Sequence, residues 1–127
     1  MERIALDTNV VIGYFQGDTD LREKLQKIPV WCLPVTVVGE LLFGAYNAAK
    51  QEENLIRYQA FIDRTEILGI DVSTAEAYAR IRLQLKRSGR PIPENDIWIA
   101  ATTISHGLPL ATRDKHFNAV KGLAMYL

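Results

Sequence analysis

The stretch Ile4-Ala5-Leu6-Asp7-Thr8-Asn9 places three apolar residues directly before three polar ones. This pattern predicts a short buried strand that ends at residue 6, with polar side chains at its carboxyl end. Further strands are predicted over residues 30–33, 67–70, 108–112 and 123–126, and helices over residues 18–27, 36–50, 53–64, 73–87 and 95–106. Short strands alternating with helices indicate an α/β fold with a mainly parallel sheet flanked by helices.

Local signals predict where several helices begin and end. Ser73 and Glu76 are spaced as a capping box at the start of one helix. Thr36 is the expected N-cap of an earlier helix, and Asn95 or Asp96 is that of a later one. Gly107 then follows the later helix at the position where glycine commonly ends a helix.

Composition limits the class of protein. The chain has 127 residues, of which 48% are hydrophobic, and this favours one packed domain over residues 1–127. Fifteen Lys and Arg residues balance fifteen Asp and Glu residues, which excludes a strongly basic nucleic-acid binder as the default. The single cysteine, Cys32, excludes a disulfide framework. With no signal peptide and no membrane-spanning run, the sequence predicts a cytoplasmic protein without membrane contact.

Four acidic residues stand apart from the others. Asp7 and Asp114 each follow a predicted strand, where an open parallel sheet collects its ligands. Glu40 lies inside an apolar helix, so its charge needs a cation or a hydrogen-bond donor, and a structural salt bridge would also satisfy it. Asp96 opens a late helix. Helix capping accounts for Asp96 just as well as a catalytic role does. Turn formation accounts equally well for Asp7 and Asp114.

The joint placement of these four carboxylates favours a metal site. If all four converged within about 5 Å, they would repel one another strongly at an effective dielectric constant near about 20. A divalent cation removes that conflict. Oxygen ligands alone select a hard ion, and the expected cofactor is therefore Mg²⁺ or Mn²⁺.

The same residues carry a resemblance that spans nearly the whole chain. The chain resembles PIN-domain ribonucleases and, more narrowly, the VapC-type toxins of type II toxin–antitoxin pairs. The motifs that carry it are Leu6-Asp7-Thr8-Asn9, Glu40-Leu41-Leu42, Asn95-Asp96, Thr112-Arg113-Asp114 and His116-Phe117. The resemblance implies a Rossmann-like sheet, a Mg²⁺-dependent endoribonuclease, a homodimer and a cognate antitoxin protein.

The resemblance also assigns roles to individual residues. Asp7, Glu40, Asp96 and Asp114 correspond to the acidic positions of the family, with Asp7 and Asp96 as direct metal ligands. Thr8, Asn9 and Thr112 are supporting polar residues. A metal lowers the pKa of a coordinated water, and Glu40 or Asp114 could orient or deprotonate that water. His116 is assigned a surface or packing role.

Two surfaces are expected to meet other molecules. Arg80, Arg87 and Arg90 belong to a basic stretch without an acidic residue and are candidate RNA contacts, although a solvated helix explains them equally well. The helix after Thr36 is apolar on nearly every side, so one side would pack on the sheet and the other could meet a second subunit, a partner helix or simply the helix predicted over residues 53–64. Leu42 and Tyr46 are the residues expected at a dimer interface.

Two other function classes fit a chain of this length. A phospho-receiver domain would show paired acids after the first strand, whereas Asp7 has no acidic neighbour there. A non-catalytic interaction domain would use the acids only as caps. Metal-dependent RNA cleavage separates the nuclease from both.

Overall fold

A computed structural model describes residues Met1–Leu127 and contains one five-stranded sheet with six α-helices. The strands are β1 (Arg3–Leu6), β2 (Val30–Pro34), β3 (Glu66–Leu68), β4 (Leu110–Ala111) and β5 (Met125–Tyr126). The helices are α1 (Thr8–Phe15), α2 (Thr19–Leu25), α3 (Val35–Tyr46), α4 (Gln51–Ile62), α5 (Val72–Ser88) and α6 (Glu94–Ser105). A short 3-10 helix, Lys115–Ala119, lies between β4 and β5.

Every strand pair in the sheet is parallel, and the strand order is β3-β2-β1-β4-β5. The chain builds outward from β1 to β3 and then crosses to the other side of β1 to form β4. Strand order therefore reverses between β1 and β4, and the carboxyl ends of these two strands form the crevice where such sheets bind ligands. The predicted α/β class and parallel sheet are confirmed.

The core lies on both sides of the central strand. Ile4, Ala5 and Leu6 are all fully buried, as expected for a parallel strand covered by helices on both faces. They belong to one contiguous cluster of 26 buried apolar residues. This core fixes the position of Asp7, the next residue along the chain.

The sequence did not reveal helix α1, which begins immediately after β1. Its residues Val10, Val11 and Gly13 have low helix propensity, so tertiary packing rather than local preference forms this helix. The capping box at the start of α5 was predicted at the wrong residues, Ser73 and Glu76. Asp71 and Thr74 form the box, because α5 begins at Val72 rather than at Thr74.

Two helix starts are also corrected. Helix α6 follows Pro93, so Asp96 lies inside the first turn and is not the N-cap. Helix α3 likewise follows Pro34 rather than Thr36, and it ends at Tyr46, before the predicted residue 50. Both prolines are N-cap residues with extended ψ, and proline is tolerated there because it has no backbone N–H that would need a partner. None of the helices combines the length and apolar character that crossing a bilayer requires.

Helix α5 offers a matched test of the packing. Leu85 is 2% exposed and Leu83 is 45% exposed on the same helix. We expect Leu85→Ala to lower the free energy of unfolding by about 2–5 kcal/mol, because it leaves a cavity. Leu83→Ala should change it by less than about 0.5 kcal/mol. Urea unfolding measures both, and equal losses would contradict this packing of α5.

Candidate active site

Asp7 lies at the crevice between β1 and β4 and is held on every side. It is 4% exposed and forms the N-cap of α1, where its Oδ1 accepts the Thr8 N–H at 2.8 Å. Its Oδ2 accepts the Thr112 hydroxyl at 2.7 Å and the Asn9 amide at 3.2 Å. One carboxylate thus receives three hydrogen bonds, which fix its orientation.

Thr112 joins the ends of the two neighbouring strands. Its hydroxyl donates to Asp7 and accepts the N–H of Asp114 at 3.0 Å. Asn9 adds a second link, because its Oδ1 accepts the N–H of Arg113 at 3.3 Å. All three residues expected to have supporting roles therefore form hydrogen bonds within this site: Thr8, Asn9 and Thr112.

Glu40 reaches the site from helix α3. Its Oε1 accepts the hydroxyl of Thr8 at 2.7 Å, and its Oε2 lies 3.4 Å from the donating amide of Asn95. Glu40 is half-buried and has no cationic partner, so the structural salt bridge considered for it is absent. Two polar donors from α1 and α6 hold it instead.

Asp96 and Asp114 lie on either side of the His116 ring. Asp96 Oδ2 is 2.6 Å from Nε2 and Asp114 Oδ1 is 2.7 Å from Nδ1. The buried Nε2 atom makes no hydrogen bond of normal geometry, so its approach to Asp96 is a close polar contact. His116 therefore does more than the expected surface or packing role. Its position two residues after Asp114 could have indicated the contact with Asp114, whereas the contact with Asp96 depends on the fold.

Burial and mutual repulsion raise the pKa values of two acids in this site. Burial raises the pKa of Asp7 to about 6, opposed by the hydrogen bonds from Thr112 and Thr8 and reinforced by the charges of Asp96 and Glu40. Burial also raises the pKa of Asp96, where His116 opposes the effect and the charges of Glu40 and Asp114 add to it. The acids are therefore near enough to destabilise each other when ionised.

The arrangement fits a divalent cation but is looser than a four-carboxylate cluster. The donor atoms that lie within 4.8 Å of one another belong to Asp96, Asp114 and His116. Asp7 and Glu40 adjoin this set through hydrogen bonds and electrostatic coupling. A cation among these oxygen donors would neutralise carboxylates whose pKa values burial has raised, and this is the physical case for one.

The three arginines proposed as RNA contacts lie apart from this hydrogen-bond network. Arg80, Arg87 and Arg90 are all exposed, and their side chains make no hydrogen bond or ion pair. By contrast, Arg82, which shares helix α5 with Arg80 and Arg87, pairs with Glu94 at 3.4 Å. The three guanidinium groups are therefore available to a partner from solution.

Comparison with known proteins places this site in a family. The family model described as the PIN domain matches residues 4–123. The chain belongs to the PIN-domain family. It is 35% identical over 124 residues to Ribonuclease VapC4 of Mycobacterium tuberculosis, covering 94% of this chain and 92% of the relative. It is 31% identical over 126 residues to the tRNA(fMet)-specific endonuclease VapC of Shigella flexneri, covering 97% and 96%.

A solved structure agrees with these matches. VapBC-5 from Mycobacterium tuberculosis, described as a member of the VapBC family of toxin–antitoxin systems, superposes with a TM-score of 0.79 and 34% identity. The match covers 99% of this chain and 97% of the other. These comparisons confirm the resemblance to VapC-type ribonucleases of the PIN family.

The buried Asp7 carboxyl predicts an unusual dependence of stability on pH. Its pKa is about 6 in the folded protein against 3.8 ordinarily, so the folded state binds the extra proton between these values. Without divalent metal, this residue should lower the free energy of unfolding by up to about 3 kcal/mol as pH rises from about 4 to 7. Urea unfolding in chelator measures the change. Asp7→Asn should remove most of it, and an unaltered pH profile in that variant would contradict the assignment.

Proposed function

We propose that the protein is an endoribonuclease that depends on Mg²⁺ or Mn²⁺ and hydrolyses RNA phosphodiester bonds with an activated water. The observation that carries the proposal is the close set of donor atoms of Asp96, Asp114 and His116, which Asp7 and Glu40 adjoin through hydrogen bonds and electrostatic coupling. Membership of the PIN family and relatives named as ribonucleases support the same reaction and an RNA substrate.

The proposed roles follow from how each carboxylate is held. Asp7 and Asp96 are the principal metal ligands, because Asp7 is the most rigidly fixed acid and its charge is coupled to that of Asp96. A cation bound there would supply Lewis-acid stabilisation of the charge that develops on the phosphodiester. Glu40 or Asp114 would accept the proton of the attacking water as general base. Both are partly accessible, whereas Asp7 is buried.

The exposed arginines extend the site toward the substrate. We assign Arg80, Arg87 and Arg90 to contacts with RNA phosphates, because exposed and unpaired guanidinium groups bind phosphate without first breaking an ion pair. An RNA substrate supports the cytoplasm as the compartment. The whole of residues 1–127 would act as one PIN domain.

The competing function classes are disfavoured by specific observations. The PIN-family match over residues 4–123 argues against a phospho-receiver domain. A pure interaction domain would use its acids as caps, yet Asp96 caps nothing and Glu40 lies inside a helix. Burial raises the pKa of Asp7 and Asp96, a cost to stability that a purely capping role does not require.

Asp96→Asn tests the nuclease proposal, because asparagine keeps the shape of the side chain and removes its charge. We expect RNA cleavage to fall by more than about 100-fold, because losing a residue that only supports a metal ligand already costs about 10- to 100-fold and Asp96 is proposed as a direct ligand. Mg²⁺ or Mn²⁺ should also raise the melting temperature of the parent more than that of the variant.

Asp71→Asn is the matched control, since Asp71 caps α5 outside the cluster and asparagine also caps helices well. It should retain cleavage and the metal response. Cleavage by Asp96→Asn at the parental rate, at both low and saturating Mg²⁺, would contradict the proposal.

The protein is further proposed to act as the toxin of a toxin–antitoxin pair and as a homodimer. The VapBC-5 structure, described as a toxin–antitoxin system, supports an antitoxin partner for this chain. Such a partner would offer a basic side chain to the acidic site. The dimer is supported by exposed apolar groups on α3, where Val35 is 40% and Tyr46 is 59% exposed. Leu42 was expected in this surface, but it is half-buried against the core.

Tyr46→Lys tests the dimer. A charge on this exposed residue should convert the dimer to a monomer without unfolding the chain, because the side chain contributes little to the core. Light scattering at tens of micromolar gives the mass. Val72→Lys is the control, since Val72 is 75% exposed on α5, and it should leave the mass unchanged. A monomeric parent protein at this concentration would rule out the dimer.

A further inference from the structure

A groove opens beside the acidic site along one side of helix α3. Its volume is about 670 Å³, and its lining residues are Thr8, Thr36, Gly39, Glu40, Phe43 and Asn95. Thr8 and Glu40 are hydrogen-bonded to each other within the candidate active site, and Asn95 bonds Glu40 from α6. The groove is therefore continuous with the site where the phosphodiester would be cut.

Phe43 differs from every other phenylalanine in the chain. It is 70% exposed and packs against no aromatic ring, whereas Phe15, Phe61 and Phe117 each contact another ring. A phenyl ring left in water forgoes the free energy that burial would supply. Phe43 lies one helical turn after Gly39 on the same side of α3. A Cβ at Gly39 would meet nothing within 4 Å, so the space beside the ring is open.

The polar groups of the groove are neutral except for Glu40. The Thr36 hydroxyl makes no hydrogen bond in the structure, and the Asn95 side chain uses only its amide nitrogen. No lysine or arginine lines the groove. A phosphate would therefore be poorly held, whereas a flat uncharged ring with hydrogen-bonding edges fits both the exposed phenyl group and the unused polar atoms.

We infer that this groove is a nucleobase subsite, in which Phe43 stacks on a base of the single-stranded RNA next to the cleaved bond, and Thr36 and Asn95 contact the edge of that base. The inference rests on the proposed nuclease function. Single-stranded RNA is commonly held by stacking its bases on aromatic side chains, and such stacking tolerates several base identities. Phe43 is then a substrate-positioning residue, not a member of the metal-binding set.

The test compares an intact base with a missing base in two proteins. Fluorescein-labelled octa-adenylate and versions with one abasic ribose at each position are titrated into Asp96→Asn protein, which keeps the RNA uncut. The same titrations use Phe43→Ala in that background. Ile56→Ala is the matched control, because Ile56 is 69% exposed on α4 and lies outside the groove.

We expect Phe43→Ala to weaken binding of the intact RNA by about 5- to 100-fold, the range that loss of one stacked base produces. With Phe43 present, removal of the base at one position of the RNA should weaken binding by a similar factor. In Phe43→Ala, removal of the same base should change binding little. Phe43→Trp should restore the base dependence, and Ile56→Ala should preserve it. In active protein, Phe43→Ala should raise KM more than it lowers kcat.

Three outcomes would overturn the inference. If loss of a base weakens binding equally with and without Phe43, no base stacks on Phe43. The nuclease proposal survives that result if the parent protein still cleaves RNA. A halved mass of Phe43→Ala with unchanged base dependence would assign the ring to contact with a second copy of the chain. Absence of both RNA cleavage by the parent and RNA binding by Asp96→Asn would reject the subsite together with the proposed function.

Discussion

The hydrogen bond from the Thr112 hydroxyl to Asp7 Oδ2, 2.7 Å long and buried, connects the two strands on which the site depends. Strands β1 and β4 are neighbours in space but far apart in the sequence, and the polar residues that follow them meet only because the chain crosses over β1. Asp7 ends the central strand, caps α1 and receives three donors. Its rigidity comes from the sheet, which makes it suited to hold a ligand with little reorganisation.

This rigidity has an energetic cost. Burial raises the pKa of both Asp7 and Asp96, so each carboxylate is less stable ionised than it would be in water. The structure offsets part of the cost through hydrogen bonds at Asp7 and through His116 at Asp96. A cation bound at these carboxylates would offset the rest, so metal binding would stabilise the folded state.

Several parts of this arrangement could be predicted from the sequence. Asp7 and Asp114 were placed correctly because strand ends in a parallel sheet share one edge, and Glu40 was singled out by its apolar neighbours. The start of α6 was misplaced because Asn95 and Asp96 resemble N-caps, whereas Pro93 begins the helix. Helix α1 was missed because its residues have low helix propensity and only packing stabilises it.

Contacts between distant residues were the least predictable from sequence alone. His116 lies between Asp96 and Asp114 because α6 and the 3-10 turn meet at the sheet edge, and no local pattern encodes that meeting. The groove beside Phe43 likewise requires α3 and α6 to be side by side. Motif spacing predicted which residues form the candidate site, but it did not show which side chains touch.

The most direct test of the account is anomalous diffraction at the manganese edge from crystals of the protein equilibrated with Mn²⁺. The account predicts a strong peak within coordination distance of Asp7 and Asp96, at the carboxyl ends of β1 and β4. Saturating Mn²⁺ with no peak at these carboxylates would contradict the claim that they form a metal centre.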